Sequence, residues 1–260
     1  MTADQTPPAA NDPVGLARKM MRPELPKRFY KSVGTRAVES GFEIVLDGRP
    51  VRTPKRRPLA VADADVAAVV AAEWDAQQTE INPAHMPMTR LLNSAIDGVA
   101  DMPDAVAADI AAFAGTDPLC YRAGMPDGLV ARQTEAWDPI LAWAETTLGT
   151  RFVLAEGVMP VAQPETTLAA VRDCLPARDP LALAALHSMT TLTGSVLIAL
   201  AVQDGMLTVD EAWAAAHVDE DWNISLWGAD AEAMRRRERR EIEMRTAALL
   251  LSRTGPAGPA

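Results

Sequence analysis

The apolar positions of the first fifty residues predict a β-hairpin. Three of them occupy alternate positions, Phe42, Ile44 and Leu46. This is the period of a strand with one face buried. The dipeptide Asp47-Gly48 follows and predicts a tight turn into a second strand over residues 49–53. Because Pro50 has no amide hydrogen to donate to a sheet, the second strand is expected to be short or to lie at an edge.

A helical period replaces this alternation after Asp63. Asp63 is a residue type that caps helix N-termini, and apolar residues follow it at helical spacing. They are Val66, Val69, Val70 and Trp74. This stripe is expected to pack on the sheet and complete an α+β unit. A second helix carries Leu92, Ile96 and Val99 on one face, and Pro103 suits the first turn of a third helix.

The remainder of the chain is predicted to be mainly helical. The predicted helices cover residues 129–148, 166–174, 181–202, 208–217 and 229–251, and a short β segment is expected within 151–161. Pro139 is expected to kink or divide the first of these helices. Thr208 and Glu211 match a capping box at the start of the fourth. The apolar helix over 181–202 is predicted to contain Gly194-Ser195 in its interior.

These elements predict an α+β protein with two domains. Residues 25–102 form a small antiparallel-sheet domain with a helix packed on it, and residues 103–253 form a mainly α-helical domain. Residues 1–24 are predicted to be a disordered tail, and residues 254–260 a flexible one.

Charge excludes some classes of partner. The chain of 260 residues has a formal net charge of −10, which opposes binding to nucleic acids and to anionic membranes. Its 48% of hydrophobic residues is typical of a globular protein. Residues 181–202 contain too many hydroxyl groups for stable membrane insertion. The first residues lack a secretory signal, so a cytoplasmic location is predicted.

No motif in the sequence predicts a catalytic, metal or cofactor site. The three histidines are not spaced as metal ligands, and Cys120 and Cys174 form no CxxC pair. Gly194-Ser195 lacks the arrangement of a nucleophile elbow, and no phosphate-binding loop is present. His187 is predicted to be a hydrogen-bonded residue of the core.

Aromatic and acidic residues instead indicate a binding surface. The six tryptophans are Trp74, Trp137, Trp143, Trp213, Trp222 and Trp227, and each alone is more often a core residue than an interface anchor. Asp219 and Glu220 belong to an acidic cluster that precedes Trp227. Glu220 and Trp227 are seven positions apart and would share a helix face, presenting a charge and an anchor to a partner. The alternative is an ordinary solvated acidic helix end.

A run of arginines near the C-terminus offers a competing hypothesis of nucleic-acid binding. It consists of Arg235, Arg236, Arg237, Arg239 and Arg240. Because Glu232, Glu238, Glu241 and Glu243 are interleaved at helical distances, a helix face neutralised by local salt bridges is favoured over a nucleic-acid site.

Several phrases of the sequence, in order, resemble one family. In the first half they are the segments 46–54, 72–77 and 86–97. In the second half they are 117–123, Gln133 with Trp137-Asp138-Pro139, Thr193-Gly194-Ser195, and Glu220 with Trp227-Gly228. Together they resemble the ATP-twelve family of assembly chaperones. One departure is Asp221-Trp222-Asn223-Ile224, where the family more often has phenylalanine or tyrosine followed by glutamine.

The resemblance implies a function in the assembly of the catalytic sector of F-type ATP synthase. It implies that the protein binds the unassembled α subunit and shields its contact surface until the β subunit replaces it, without enzymatic activity or a cofactor. Eukaryotic relatives are expected in the mitochondrial matrix, and a monomer is expected here. The alternative is a small-molecule enzyme that uses carboxylates in an interdomain cleft.

The resemblance also implies which residues matter for binding. The important acid of the family's C-terminal motif corresponds to Glu220, and Trp227 and Asp219 are its candidate supports. Three further residues are expected at the surface or between the domains: Asp97, Arg90 and Trp74.

Overall fold

The computed structural model describes residues 24–157, 159–176 and 178–254, and its first part is an antiparallel sheet. The strands are β1 Val33–Val38, β2 Gly41–Leu46, β3 Arg49–Pro50 and β4 Ala60–Val61. β2 is central and pairs with each of the others. The predicted alternation is confirmed, since Ile44 and Leu46 are buried and Phe42 packs against the core.

The turn at Asp47-Gly48 is confirmed by the backbone. Asp47 and Gly48 have φ values of 48° and 76°, the left-handed conformation that a tight hairpin turn requires at both central positions. The strand predicted over 49–53 is shorter, because β3 covers only Arg49 and Pro50. It pairs with β2 alone, as expected for a proline-containing edge strand.

Helix α1, Ala64–Asp75, begins where the sequence predicts. The Asp63 carboxylate accepts hydrogen bonds from the amides of Asp65 and Val66, at 3.0 and 2.9 Å. Val66 and Val70 are buried against the sheet. The α+β unit is therefore held by the predicted cap and the predicted apolar stripe.

Most of the helical residues described lie in the helices that follow α1. They are α2 Pro87–Asp97, α3 Pro103–Ala112, α4 Asp127–Thr147, α5 Glu165–Asp173, α6 Pro180–Thr193, α7 Val196–Gln203, α8 Val209–Ala216, α9 Val218–Trp227 and α10 Ala231–Ser252. Two short strands, β5 Tyr121–Arg122 and β6 Ala155–Glu156, form a separate parallel pair. Pro139 does not divide α4, which continues through it. The capping box of Thr208 and Glu211 is present at the start of α8.

The single helix predicted over 181–202 is wrong. Gly194 adopts a φ of 75° and ends α6, and Ser195 is the N-cap of α7. Gly194 tolerates this left-handed conformation because it has no side chain. The Ser195 hydroxyl accepts a hydrogen bond from the Ile198 amide at 3.1 Å. Gly194 therefore ends one helix, and Ser195 begins the next.

His187 differs from its prediction in burial. Its side chain keeps 41% of its exposure, and Nε2 lies 2.9 Å from Asp109 Oδ2. It is hydrogen-bonded as expected, but it lies at the protein surface. Its apolar neighbours Leu186 and Met189 are buried instead.

One hydrophobic core extends through both parts of the described chain. Its buried residues include Ile44 and Val66 of the first part and Leu197 and Leu250 of the second. Among the described residues, three charged pairs cross between the parts, Arg90 with Glu243 and Arg253 with both Asp63 and Asp65. The domain boundary after residue 102 stays a prediction. The predicted tails lie outside the described residues, except for positions 24 and 254.

Within the described ranges, no helix combines the length and the apolar character needed to cross a membrane.

Candidate functional site

Two segments of the chain that resemble the family meet at a buried carboxylate, Asp117. Its Oδ2 accepts hydrogen bonds from the Ser195 hydroxyl at 2.8 Å and from the Leu197 amide at 3.1 Å. Its Oδ1 accepts from the Leu119 amide at 3.1 Å. Burial raises the pKa of Asp117 to about 6, although these donors oppose the shift. The carboxylate thus joins the loop before β5 to the start of α7.

Gln133 on α4 joins the residue after β5 to α9. Its Oε1 accepts a hydrogen bond from the Ala123 amide, and its Nε2 donates to Asp219 Oδ1, each at 2.8 Å. One turn further along α4, Trp137 Nε1 donates to the Ala215 carbonyl at 2.8 Å. Gln133 and Trp137 are both buried, so α4 is a fixed support for the helices that follow.

Helix α9 lies on this support without entering the core, since none of its residues is buried. Trp222 packs over Gly128 of α4, where a Cβ atom would lie only 2.6 Å from the indole ring. The guanidinium of Arg132 stacks over the same ring at 5.0 Å. A glycine at position 128 is therefore required for the close approach of α9 to α4.

An ion pair holds the other side of α9. Both oxygens of Asp221 bind the guanidinium of Arg237 on α10, and Nη2 lies 3.0 Å from Oδ2. Arg237 is largely buried while Asp221 is about half exposed. This two-point geometry is the strong form of an arginine–carboxylate pair. It fixes the rotation of α9 relative to α10.

Four exposed residues of α9 form what we call the α9 surface, Asp219, Glu220, Leu226 and Trp227, and Asp219 also accepts the hydrogen bond from Gln133. Trp227 is 84% exposed and Leu226 is 54% exposed. Glu220 and Trp227 lie in one helix, so their spacing of seven residues places them on the same face as predicted. An anchored helix that leaves a tryptophan in water has an apolar end available for contact with another protein.

His217 connects the inner and outer sides of this helix. It is buried, its Nδ1 lies 2.7 Å from the Trp213 carbonyl, and its Nε2 lies 3.8 Å from Glu220 Oε2. Because a carbonyl only accepts, Nδ1 carries the proton of the neutral ring. Burial lowers the pKa of His217, with the nearby Arg237 acting in the same direction.

The remaining predicted site residues lie elsewhere. Asp97 is almost buried at the end of α2, where its carboxylate accepts from Thr53 Oγ1 at 2.7 Å and from the Lys55 amide at 2.8 Å. Arg90 pairs with Glu243 between the two parts of the chain. Trp74 lies on α1 with its ring 5.7 Å from that of Tyr30. The structure thus brings Asp219, Glu220 and Trp227 together and separates the other three from them along the fold.

The arginine run is not neutralised by local pairs as the sequence predicted. Among the described residues, Arg237 is the member of the run with a carboxylate partner, and that partner belongs to α9. The pair four residues apart on α10 is Glu241 with Arg245, beyond the run. Sequence spacing alone indicated the interleaved glutamates as partners of the arginines. In the structure, the packing of α9 against α10 places Asp221 beside Arg237 instead.

Sequence reasoning missed Leu226 and the anchoring roles of Asp221 and Gln133. Leu226 adjoins Trp227, and this apolar pair directly before Gly228 is the sequence signal that could have indicated an exposed apolar helix end. The partners of Asp221 and Gln133 lie 16 and 86 positions away, and no local pattern indicates them.

Within the described ranges, no group of three His, Cys, Asp or Glu side chains is placed to hold a metal ion. The chemistry of the α9 surface is that of contact, with an aromatic anchor, an aliphatic neighbour and two carboxylates. A rigid scaffold with such a surface defines the class of protein-binding proteins.

Comparisons with known proteins identify the family within that class. The profile of the ATP12 chaperone protein family matches residues 27–145. A crystal structure of Atp12 from Paracoccus denitrificans is 40% identical, with a TM-score of 0.80, covering 88% of this chain and 99% of that one. The Atu1473 protein of Agrobacterium tumefaciens is 51% identical, with a TM-score of 0.82, covering 93% and 91%.

A mitochondrial relative is more distant. Protein atp12 of Schizosaccharomyces pombe is 23% identical over 219 residues, which is 80% of this chain and 75% of that protein. The chain belongs to the ATP12 chaperone family. The fold class and the family expected from the sequence are confirmed. Membership of this family supports a chaperone role in the assembly of ATP synthase.

Proposed function

We propose that this chaperone binds the unassembled α subunit of F-type ATP synthase through the α9 surface and releases it to the β subunit. Membership of the ATP12 family supports the assembly role. The choice of the α subunit rests on the family resemblance found in the sequence. In this proposal the protein acts as a monomer in the bacterial cytoplasm.

The observation that carries the proposal is the exposed Trp227 on an anchored helix. A tryptophan left 84% exposed contributes nothing to the core, whereas burial against a partner removes a large apolar area from water. Gln133, Gly128 and Arg237 hold α9 in place at three separate contacts. A preorganised helix loses little conformational entropy on binding, so more of the contact energy appears as affinity.

Glu220 supplies the electrostatic part of the contact. It is exposed and belongs to the acidic first turn of α9, and the whole chain carries a charge of −10. A basic client surface is therefore attracted before contact and oriented by Glu220 on contact. An α subunit outside its ring exposes apolar faces that promote aggregation, and covering one of them prevents that.

Release by competition fits a chaperone of this construction. The β subunit would replace the chaperone on the shared surface, so exchange rather than hydrolysis would end the complex. The rival hypothesis of an enzyme requires unbonded carboxylates in a groove between the sheet-containing part and the helical part of the chain. The two that line it are already bonded, Asp97 to Thr53 and Lys55, and Glu243 to Arg90.

Size-exclusion chromatography with light scattering tests the proposal directly. The protein is mixed separately with the isolated α and β subunits of its own ATP synthase. We expect a complex with α alone, containing one copy of the chaperone. Equal binding to both subunits, or none to a well-behaved α subunit, would refute the choice of client.

The variant Glu220→Lys tests the α9 surface. We expect an unchanged fold and an α-subunit affinity weaker by about 2 kcal/mol or more, because a charge that faces a basic client is reversed. Glu165→Lys is the matched control, since Glu165 is an exposed acid in the first turn of α5. Isothermal titration measures both. An affinity of Glu220→Lys equal to that of the control would remove Glu220 from the interface.

A further inference from the structure

A second feature of the surface is an apolar groove between the two parts of the chain. It has a volume of about 910 Å³ and lies where α2, α6 and α10 meet. Its apolar lining includes Leu91, Val99, Met102, Val106, Ala184 and Leu192. Met102 keeps 57% of its exposure there. This volume is near the upper end of the range of about 300–1,000 Å³ that is usual for ligand sites.

The charges around the groove are already paired within the protein. Arg90 binds Glu243, Lys55 binds Asp101 at 3.1 Å, and His187 lies 2.9 Å from Asp109. No charged side chain of the described lining is left unpaired to attract an occupant of opposite charge. The groove is therefore complementary to an uncharged, apolar occupant.

One polar group in the lining has no partner. Asn93 of α2 lines the groove, and its Oδ1 is buried without a hydrogen bond to any described residue. A primary amide offers an acceptor and donors side by side, and rotation of the amide exchanges them. These groups match the N–H and C=O of a peptide backbone. Two hydroxyl side chains, Ser94 and Ser188, line the same groove and extend the set of polar groups along it.

We propose that this groove binds an uncharged, apolar, extended segment of the unassembled α subunit, at a site separate from the α9 surface. Apolar side chains of the segment fill the groove, and its backbone bonds to the Asn93 amide, whose buried oxygen reaches the groove when the amide rotates. The inference rests on the proposed function for the identity of the client. Two contacts on one client also raise the affinity of the whole complex, because the second contact forms within a complex that the first already holds together.

Peptide binding to the full-length protein tests the groove. Overlapping short peptides that cover the α and β subunits are measured by fluorescence anisotropy. Ser94→Trp places a large ring in the groove from an exposed helix position, and Asn93→Leu removes the amide at similar size. Ser40→Trp, at an exposed turn of the sheet, is the control for the added tryptophan.

We expect uncharged apolar peptides of the α subunit to bind. Ser94→Trp is expected to weaken them at least about tenfold by exclusion. Asn93→Leu is expected to weaken them about fivefold through the lost hydrogen bonds. Ser40→Trp and Glu220→Lys should leave peptide affinity unchanged. The absence of peptide binding, or the same affinity in both groove variants as in the control, would overturn the proposal.

Other outcomes separate this inference from the proposed function. Tighter binding of a peptide of residues 1–23 than of any α-subunit peptide would give the groove to the chain's own N-terminal segment and overturn the proposal. An α-subunit complex in size-exclusion chromatography without peptide binding would refute the proposal for the groove and leave the proposed function intact. Peptide binding without an α-subunit complex would support the groove and refute the proposed complex.

Discussion

Helices α7 and α9 have opposite positions in the fold although both carry large apolar residues. Six of the eight residues of α7 are buried, from Val196 to Ala201. None of the residues of α9 is buried, and Leu226 and Trp227 are open to solvent. Burial is the usual fate of such side chains because it removes apolar area from water. The exception at α9 is the basis for the partner surface that we propose there.

The two helices are also held by different forces. The start of α7 is fixed by a buried carboxylate, Asp117, which accepts three hydrogen bonds inside the core. Helix α9 is held by contacts at its margins, with Gln133 and Arg237 as the polar partners. A change at α7 should consequently affect folding, and a change on the outward side of α9 should affect binding alone.

The largest expected effect is that of Asp117→Ala. Removal of the carboxylate leaves the amides of Leu119 and Leu197 without partners in the core, so the variant should lose about 3 to 5 kcal/mol of stability. Urea denaturation followed by circular dichroism measures the loss. Glu135→Ala, at an exposed position of the same neighbourhood in sequence, should change stability by less than about 0.5 kcal/mol. Similar losses in the two variants would contradict the core role of Asp117.

Two titrating groups at the starts of these helices, Asp117 beside α7 and His217 before α9, should change stability with pH in opposite directions. Burial raises the pKa of Asp117 to about 6, from 3.8 in the unfolded chain. The folded state then holds the extra proton, so this group's contribution falls as pH rises from about 4 to 6, by on the order of 3 kcal/mol. His217 acts oppositely, because burial lowers its pKa and its contribution is lost as pH falls below 6.5.

Denaturation at several pH values separates these contributions. The difference in stability between wild type and Asp117→Asn should decrease as pH rises from about 4 to 6. The difference between wild type and His217→Gln should increase as pH rises through the range near 6. Flat differences for both variants would show that neither group titrates differently in the folded state.

Trp227→Ala should separate binding from folding most clearly. Truncation of an interface tryptophan is expected to weaken α-subunit binding by about 2 kcal/mol, or about thirtyfold. Stability should stay the same, because the side chain is 84% exposed. Phe29→Ala is the matched control, since Phe29 is 74% exposed but lies before β1. Equal weakening in both variants would indicate a general effect of apolar exposure.

The smallest expected effect is that of Gly128→Ala, which tests the seating of α9 on α4. The new Cβ would lie 2.6 Å from the Trp222 ring, so the ring must move at a cost of about 1 kcal/mol. The helix preference for alanine offsets part of this cost. A double-mutant cycle with Trp222→Leu should therefore give a coupling of about 1 kcal/mol in stability. Zero coupling would mean that the two residues do not constrain each other.

Much of the fold followed from local patterns. The alternation at Ile44 and Leu46, the turn at Gly48 and the cap at Asp63 each occur as predicted. Each depends on residues close in sequence, whose geometry is set by backbone sterics and short-range hydrogen bonds. One large error, the division at Gly194, arose because the apolar run on both sides masked a local stop signal. A second is that no predicted helix covered residues 218–227, where α9 lies.

The candidate site was only partly predictable. The spacing of Glu220 and Trp227 placed both on one face if their segment was helical, and the structure contains that helix. The burial of Asp97 against Thr53 and Lys55 was not foreseen, since its position on the polar side of α2 indicated exposure. A loop from a distant part of the chain covers that side, and helical periodicity carries no information about such a cover.

The sequence by itself determined the class of fold, the family and the type of most elements. The fold class and the elements depend on periodicity, caps and turns, which act within a few residues, whereas the family was indicated by the resemblance of several residue phrases. Only the tertiary structure decided that α7 is enclosed while α9 remains at the surface. Likewise, the partners of Asp117 and Gln133 lie about eighty positions away. Packing of distant segments decides which apolar side chains are covered, and the exposed end of α9 is what that packing leaves uncovered.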